Sequence, residues 1–199
     1  MFTPKDNAEA RALFGRAIAL DPQFARAYAN LAATHRQDWI LAWTQNRTAS
    51  ESQAYDMAEK AVELARREPE PKPSLPYALE QLGYVELYKE RLPAADAAAK
   101  EALSRSPNYA DGYALAAHVL IYLGQPEEAL RKTQEAINRD PKYPFFYDYH
   151  RGHDPDVARR HFEEAETHLR AALKKNSNFR SARSTSWLSS VSLVGSRRR

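Results

Sequence analysis

The stretch Ser106-Pro107-Asn108-Tyr109 recurs 34 residues further along the chain as Asp140-Pro141-Lys142-Tyr143. An earlier copy stands at Asp21-Pro22-Gln23-Phe24, and Asn176-Ser177-Asn178-Phe179 repeats the phrase without its proline. A recurrence of about 34 residues is typical of arrays built from helix-turn-helix units. The phrase therefore predicts a repeat protein.

Small and aromatic residues follow the same period between the two central copies of the phrase. Ala95, Ala102 and Tyr113 recur 34 residues later as Ala129, Ala136 and Tyr147. Small side chains let the two helices of a unit approach closely, and proline ends the second helix because it lacks a backbone donor. The sequence predicts an all-α fold, a right-handed α-solenoid of about four to five repeats without strand pairing.

The array is predicted to span residues 1–183 and to open inside a repeat. A helix from Pro4 to about Leu20, with Thr3 as its N-cap, has the pattern of a second helix, and its first helix is missing. We therefore expect a fragment of a longer array or an array that has lost one helix. The two central repeats are the most regular, with Leu82-Gly83 in one and Gly124 at the turn of the other.

Two segments depart from the repeat. Residues 39–52 contain a ten-residue insertion, whose apolar part (39–43) we expect to extend a first helix and pack on the array, before a polar loop that runs to Ser52. The alternative is a functional lip. Residues 66–76 contain four prolines, which predict an extended, semi-rigid connector or, as the alternative, a segment that binds a partner domain.

The last repeat and the C-terminal tail are irregular. Repeat five is predicted to open at residues 145–147, with a short first helix and then a long helix from about Pro155 to Lys175. Residues 184–199 form a basic tail of Ser and Arg that we expect to be disordered or irregular, left by a frameshift or a truncation. The alternative is a tail that contacts nucleic acid or anionic lipid.

Composition excludes several classes of function. The chain has no cysteine, which rules out disulfides, thiolate metal sites and a cysteine nucleophile. No apolar run reaches the roughly 20 residues of a membrane span, and no signal peptide is present, so we expect a cytoplasmic protein without membrane contact. The net charge of +3 comes from the tail, since 22 basic residues face 26 acidic ones before residue 174. This balance argues against a basic groove for nucleic acid.

The histidines near the C-terminal end do not form a convincing metal site. His150, His153, His161 and His168 lie near Asp154 and Asp156, but no pair of histidines stands four residues apart on one helix face. No phosphate-binding loop, acid pair or Ser-His-Asp arrangement stands out either. We therefore predict a protein that is not an enzyme and that holds no cofactor or metal.

Residues 2–183 resemble the tetratricopeptide-repeat (TPR) region at the C-terminal end of multidomain bacterial signalling proteins. The resemblance rests on residues 17–32, on Asp38-Trp39 followed by Trp43, and on residues 144–147. The families concerned include class III adenylate/guanylate cyclases and winged-helix regulators. Because no cyclase catalytic segment is present, the resemblance implies a module for protein interaction or self-association.

In arrays of this family the first helix of each repeat lines a concave groove. The groove residues predicted here are Arg26, Asn30, Arg36, Tyr77, Glu80, Tyr84, Tyr88, Asp111, His118, Tyr122 and Phe145. Tyrosine offers apolar area and a hydroxyl group at low entropic cost, so this groove suits a peptide or a partner helix. The alternatives are that half of these residues pack on the neighbouring repeat, and that the chain is a regulatory or oligomerisation segment of a larger cyclase or transcription regulator.

Overall fold

The computed structural model describes residues 3–142 together with Pro144, Tyr147 and Lys174. Within this part of the chain the fold is all-helical, with seven α-helices and no strand. The helices are α1 (Pro4–Leu20), α2 (Ala25–Ile40), α3 (Arg47–Arg67), α4 (Leu75–Tyr88), α5 (Leu92–Arg105), α6 (Ala110–Tyr122) and α7 (Pro126–Arg139). The predicted all-α class is confirmed, and no described helix is long and apolar enough to cross a membrane.

Five of the described helices begin where the sequence provides a cap or a proline. The Thr3 hydroxyl group accepts a hydrogen bond from the Asp6 N–H (3.1 Å), and Pro4 occupies the first turn of α1, as predicted. Helices α4, α5 and α7 also carry a proline in the first turn. A proline costs little there, because the first N–H groups of a helix have no partner within the helix.

The recurring phrase has a recurring geometry at the ends of α1, α5 and α7. The capping residues Asp21, Ser106 and Asp140 have φ between −140° and −127° and ψ between 87° and 96°. The side chains of Asp21 and Asp140 each accept a hydrogen bond from the N–H two residues ahead (2.9 Å in both). Such an Asx turn directs the chain out of the helix before the next one begins.

Contacts divide the chain into two compact units, one of residues 3–115 and the other from Ala116 onward. In the first unit, α2 packs on α3 and α4 packs on α5, as the two helices of a repeat do. Helix α1 packs on α2, and α4 packs on both α2 and α3. The second unit contains α7, whose Ala129 and Ala136 are buried.

Alanine fills the contact between the helices of each repeat. Ala54, Ala58 and Ala61 of α3 and Ala95, Ala99 and Ala102 of α5 are all at most 1% exposed. Gly83 of α4 marks the closest approach, since an added Cβ would lie 2.5 Å from Leu115 Cδ2 and 3.3 Å from Ala98 Cβ. The small residues that carry the repeat pattern are therefore the residues that set the distance between helices.

The insertion folds differently from the prediction. Helix α2 ends at Ile40, so only the first part of the apolar segment extends it. Helix α3 already begins at Arg47, because Asn46 caps it by accepting a hydrogen bond from the Ala49 N–H (3.0 Å). The predicted polar loop up to Ser52 is thus wrong in its second half, which forms more than a turn of helix.

The proline-rich connector is also shorter and more compact than predicted. It runs between α3 and α4, and it forms consecutive turns instead of an extended segment. The Lys72 N–H donates to the Pro69 carbonyl group (2.9 Å), and the Leu75 N–H donates to the Lys72 carbonyl group (3.1 Å). The Glu68 carboxylate accepts from the Ser74 N–H (3.0 Å), which ties the two ends of the connector together.

Several predictions fall on residues that lie outside the described part of the chain. These are Phe145, the helix from about Pro155 to Lys175, the four C-terminal histidines and the tail 184–199. Tyr147, which was predicted to repeat Tyr113, is described and is fully buried. The extent of the array to residue 183 stays a prediction.

Candidate functional site

The first helices of successive repeats form a continuous surface in the first unit. The backbones of α2 and α4 pack directly on each other. The second helices α3 and α5 are instead bridged by long side chains, in an ion pair between Arg66 and Glu101 (2.8 Å). The backbones of the first helices are therefore the closer pair. We call the α2–α4 surface with Arg26, Asn30, Arg36, Tyr77, Glu80, Gln81 and Tyr84 the inner row.

At one end of the inner row, a cation lies over a tyrosine ring. The Arg26 guanidinium lies 4.6 Å from the centre of the Tyr77 ring, and Arg26 itself is exposed. The Tyr77 hydroxyl group donates to Asn30 Oδ1 (2.9 Å), while Asn30 Nδ2 donates to the Arg26 carbonyl group (2.7 Å). Three residues predicted for the groove thus lie together, and their side chains are held in place across two helices.

A second stacked pair lies further along the same two helices. The Arg36 guanidinium lies 4.7 Å from the centre of the Tyr84 ring and donates to Gln81 Oε1 (3.2 Å). Tyr84 is only 4% exposed, so it forms the floor beneath Arg36 and offers almost no surface to a partner. Arg36 is half-buried and remains the accessible member of this pair.

The floor of the inner row contains a buried carboxyl group. Glu80 is 5% exposed, accepts a hydrogen bond from the Tyr109 hydroxyl group, and accepts another from Gln81 Nε2 (3.0 Å). Burial raises the pKa of Glu80 to about 8, and the nearby Asp111 carboxylate adds to the increase. The Tyr109 hydrogen bond and the Arg36 charge oppose this increase. At pH 7 the carboxyl group is therefore mostly protonated and neutral.

The charge of the inner row follows from this protonation state. Neither Arg26 nor Arg36 forms an ion pair with a carboxylate among the described residues. With Glu80 neutral, the charges that act on Tyr77 from the described residues are those of two guanidinium groups and one carboxylate, that of the half-buried Asp111. The surface is therefore locally cationic, although the chain before residue 174 carries more acidic than basic residues.

Other predicted groove residues have separate surroundings. Tyr88 packs edge-to-face against Trp39 of the insertion, with ring centres 6.4 Å apart. In the second unit, His118 is 8% exposed and packs edge-to-face on Tyr122 at 5.5 Å, while Tyr122 is 46% exposed. Phe145 lies outside the described residues.

The sequence pattern missed a buried polar cluster where α1 meets α2. Asp38 is 5% exposed, pairs with Arg11 (2.6 Å) and accepts a hydrogen bond from Asn7 Nδ2 (2.7 Å). Asn7 also donates to the Thr34 carbonyl group (2.9 Å). Burial lowers the pKa of the adjacent His35, and the charge of Arg11 lowers it further. The repeat pattern predicts apolar contacts, so polar contacts specific to one interface leave no periodic signal.

Tyr109 and Gln81 were also missed as members of the inner row. Tyr109 carries the aromatic position of the recurring phrase, which predicts packing and not a hydrogen bond to Glu80. No group of three or more His, Asp or Glu side chains suited to a metal ion occurs in the part of the chain that the structure describes. The inner row instead combines guanidinium groups, amides and phenols, and this arrangement is suited to recognition of a polar partner.

The paired helices, their 34-residue period and the inner row define an α-solenoid of helical repeats. The fold is that of TPR proteins. It is similar to TTC0263, a thermophilic TPR protein of Thermus thermophilus, with a TM-score of 0.60 and 20% identity over 80% of this chain and 81% of that chain. It is also similar to MamA, with a TM-score of 0.52 and 18% identity over 87% of this chain and 90% of that chain.

No family model matches the sequence, and no curated protein matches it. Because these structural matches are only 18–20% identical to this chain, they show a similarity of fold alone. The resemblance to the C-terminal regions of cyclases and winged-helix regulators therefore stays a prediction, as does the cytoplasmic location.

Proposed function

We propose that this chain is a non-enzymatic protein-interaction scaffold that binds a peptide or a partner helix along the inner row. The observation that carries the proposal is the arrangement of Arg26, Tyr77 and Asn30. An exposed guanidinium group lies over a tyrosine ring, and the hydroxyl group of that ring donates a hydrogen bond to Asn30 on the same helix as the arginine. A side chain ordered in this way loses little conformational entropy when a ligand binds.

Local charge indicates the kind of segment that would bind. Among the described residues, no carboxylate forms an ion pair with Arg26 or Arg36. An arginine fork binds a carboxylate through two parallel hydrogen bonds. Protonated Glu80 does not cancel their charge at neutral pH. A partner segment with Asp or Glu side chains fits this surface best, and its affinity should fall as salt is added.

A selection of random peptides tests the proposal with no assumption about the identity of the partner. Peptides displayed on phage are selected against the full chain, and the selected sequences are made synthetically and measured by calorimetry. Arg26→Glu reverses the charge of the inner row, while Lys100→Glu makes the same change on an exposed residue of α5 as the control.

We expect acidic peptides that bind the wild type and the Lys100→Glu variant equally and bind the Arg26→Glu variant at least about tenfold more weakly. If selection yields no binding peptide, or if the selected peptides bind the Arg26→Glu variant as tightly as the wild type, the inner row is not the binding surface.

A further inference from the structure

Helix α1 carries an apolar stripe that faces solvent. Ala10, Leu13, Ala17 and Leu20 follow one another at intervals of three, four and three residues, which places them along one side of the helix. Leu13 is 60% exposed and Leu20 is 87% exposed, and the two alanines are half-buried. These four residues form the α1 stripe.

The same positions are covered in the other second helices. Ala10 and Ala17 correspond to Ala54 and Ala61 of α3, which are fully buried because α2 packs over them. Helix α1 packs on α2 through a different side, which contains the buried Asn7 and its partner Asp38. Among residues 3–115, the α1 stripe is therefore an apolar helix face without a partner.

We infer that the α1 stripe is a contact between two copies of this chain, which pair through antiparallel α1 helices related by a twofold axis. A twofold contact uses the same surface on both copies, so the stripe must be complementary to itself. This inference concerns a surface separate from the inner row and does not depend on the proposed function.

Side-chain size is complementary in that arrangement. When two antiparallel copies of α1 overlap along their whole length of about 25 Å, Leu13 lies beside the partner's Ala10 near the axis. Each large side chain thus meets a small one, which is how antiparallel helices interdigitate. Leu20 lies level with the first turn of the partner helix.

Charge is complementary in the same register. Glu9 and Arg16 border the stripe on the same side, and antiparallel overlap brings Glu9 within about one helical turn of the partner's Arg16. Arg16 forms no ion pair among the residues that the structure describes, and Glu9 has only an exposed 3.8 Å contact with Lys5. In a parallel twofold pairing, the Glu9 and Arg16 side chains of the two copies would lie on opposite flanks of the contact and could not form these ion pairs. The two ion pairs therefore favour the antiparallel dimer.

Sedimentation velocity of the full chain tests the inference. One helix pair buries less than the roughly 800 Å² per partner of a stable complex, so we expect a dissociation constant of about 10–100 μM. The wild type should shift from monomer to dimer over roughly that range of concentration. Leu13→Glu combined with Leu20→Glu should remain monomeric at every concentration, with unchanged helicity, because both side chains are exposed. Leu123→Glu, at an exposed leucine outside α1, is the matched control and should dimerise like the wild type.

Charge exchange tests the orientation of the two helices. Glu9→Arg and Arg16→Glu should each weaken the dimer about tenfold, because each places like charges together. An equimolar mixture of these two variants should associate as well as the wild type, since both ion pairs are then restored between unlike copies. A wild type that stays monomeric throughout, a stripe variant that still dimerises, or a mixture that fails to associate would overturn the inference.

Discussion

The hydroxyl group of Tyr109 donates a hydrogen bond to the carboxyl group of Glu80, which is buried in α4. Tyr109 is the aromatic residue of the phrase that ends α5, so the motif that separates two repeats also satisfies a polar group beneath the inner row. Burial and the nearby Asp111 carboxylate make the protonated form of Glu80 the stable one in the folded protein. This relationship makes the stability of the protein depend on pH.

The free energy of unfolding should fall as the pH rises from about 4.5 to about 8. In this window folded Glu80, with its pKa of about 8, keeps a proton that the unfolded chain releases. The stabilisation that Glu80 contributes to the folded state is therefore complete below the pKa that Glu80 has in the unfolded chain. It is lost as pH rises through the pKa that Glu80 has in the folded protein, with a slope of at most about 1.4 kcal/mol per pH unit. Urea unfolding at several pH values measures this slope.

Glu80→Gln should remove most of the pH dependence, whereas Glu9→Gln, at an exposed site, should keep it. Equal slopes in the wild type and the Glu80→Gln variant would contradict the assignment.

The Tyr77–Asn30 hydrogen bond should contribute measurably to the packing of α2 on α4. Tyr77→Phe removes only the hydroxyl group that donates to Asn30 Oδ1. We expect a coupling energy of about 0.5–1.5 kcal/mol between Tyr77→Phe and Asn30→Ala in a double-mutant cycle measured by urea unfolding. Additive effects of the two substitutions would show that the hydrogen bond does not form in solution.

Larger residues at the repeat alanines should destabilise the fold. Ala102→Leu and Ala136→Leu each add volume where the wild-type side chain is fully buried, at an expected cost of about 1–3 kcal/mol. Ala97→Leu on the exposed side of α5 is the matched control and should change the melting temperature little. If all three variants melt like the wild type, the assignment of the repeat positions is wrong.

Tyr84 should behave as a core residue, although its position in the repeat predicts an accessible anchor. It is 4% exposed, so Tyr84→Ala leaves a cavity and should cost about 3 kcal/mol or more. Tyr88→Ala should cost less, because Tyr88 is half-buried, with its ring edge-to-face with that of Trp39. Chemical unfolding of the two variants compares them, and an equal or smaller effect at Tyr84 would contradict the structure.

The repeat pattern predicted the fold well because small residues and prolines act locally. Thr3 and Pro4 set the beginning of α1, and the phrase at Ser106 sets the end of α5, each through bonds within a few residues. The pattern also predicted that Arg26, Asn30 and Tyr77 lie on one surface, and their side chains are in contact there.

The contacts that the sequence did not reveal join residues far apart in the chain. The Asn7–Asp38 and Tyr109–Glu80 hydrogen bonds span 31 and 29 residues, and neither pair is set by the repeat period. The connector was mispredicted because Glu68 folds it back through the Ser74 N–H, a contact that a count of prolines does not contain.

The position of a bound peptide is the most direct test of the central claim that partners bind along the inner row. The chain has no cysteine, so Ala33→Cys and Ala97→Cys each provide one site for an environment-sensitive fluorophore. Ala33 shares the face of α2 that carries Arg26 and Asn30, whereas Ala97 lies on the exposed side of α5. Titration with a selected acidic peptide should change the emission of the label at position 33, saturably, and leave the label at position 97 unchanged. A peptide that binds by calorimetry but changes only the label at position 97, or changes neither label, would contradict the account.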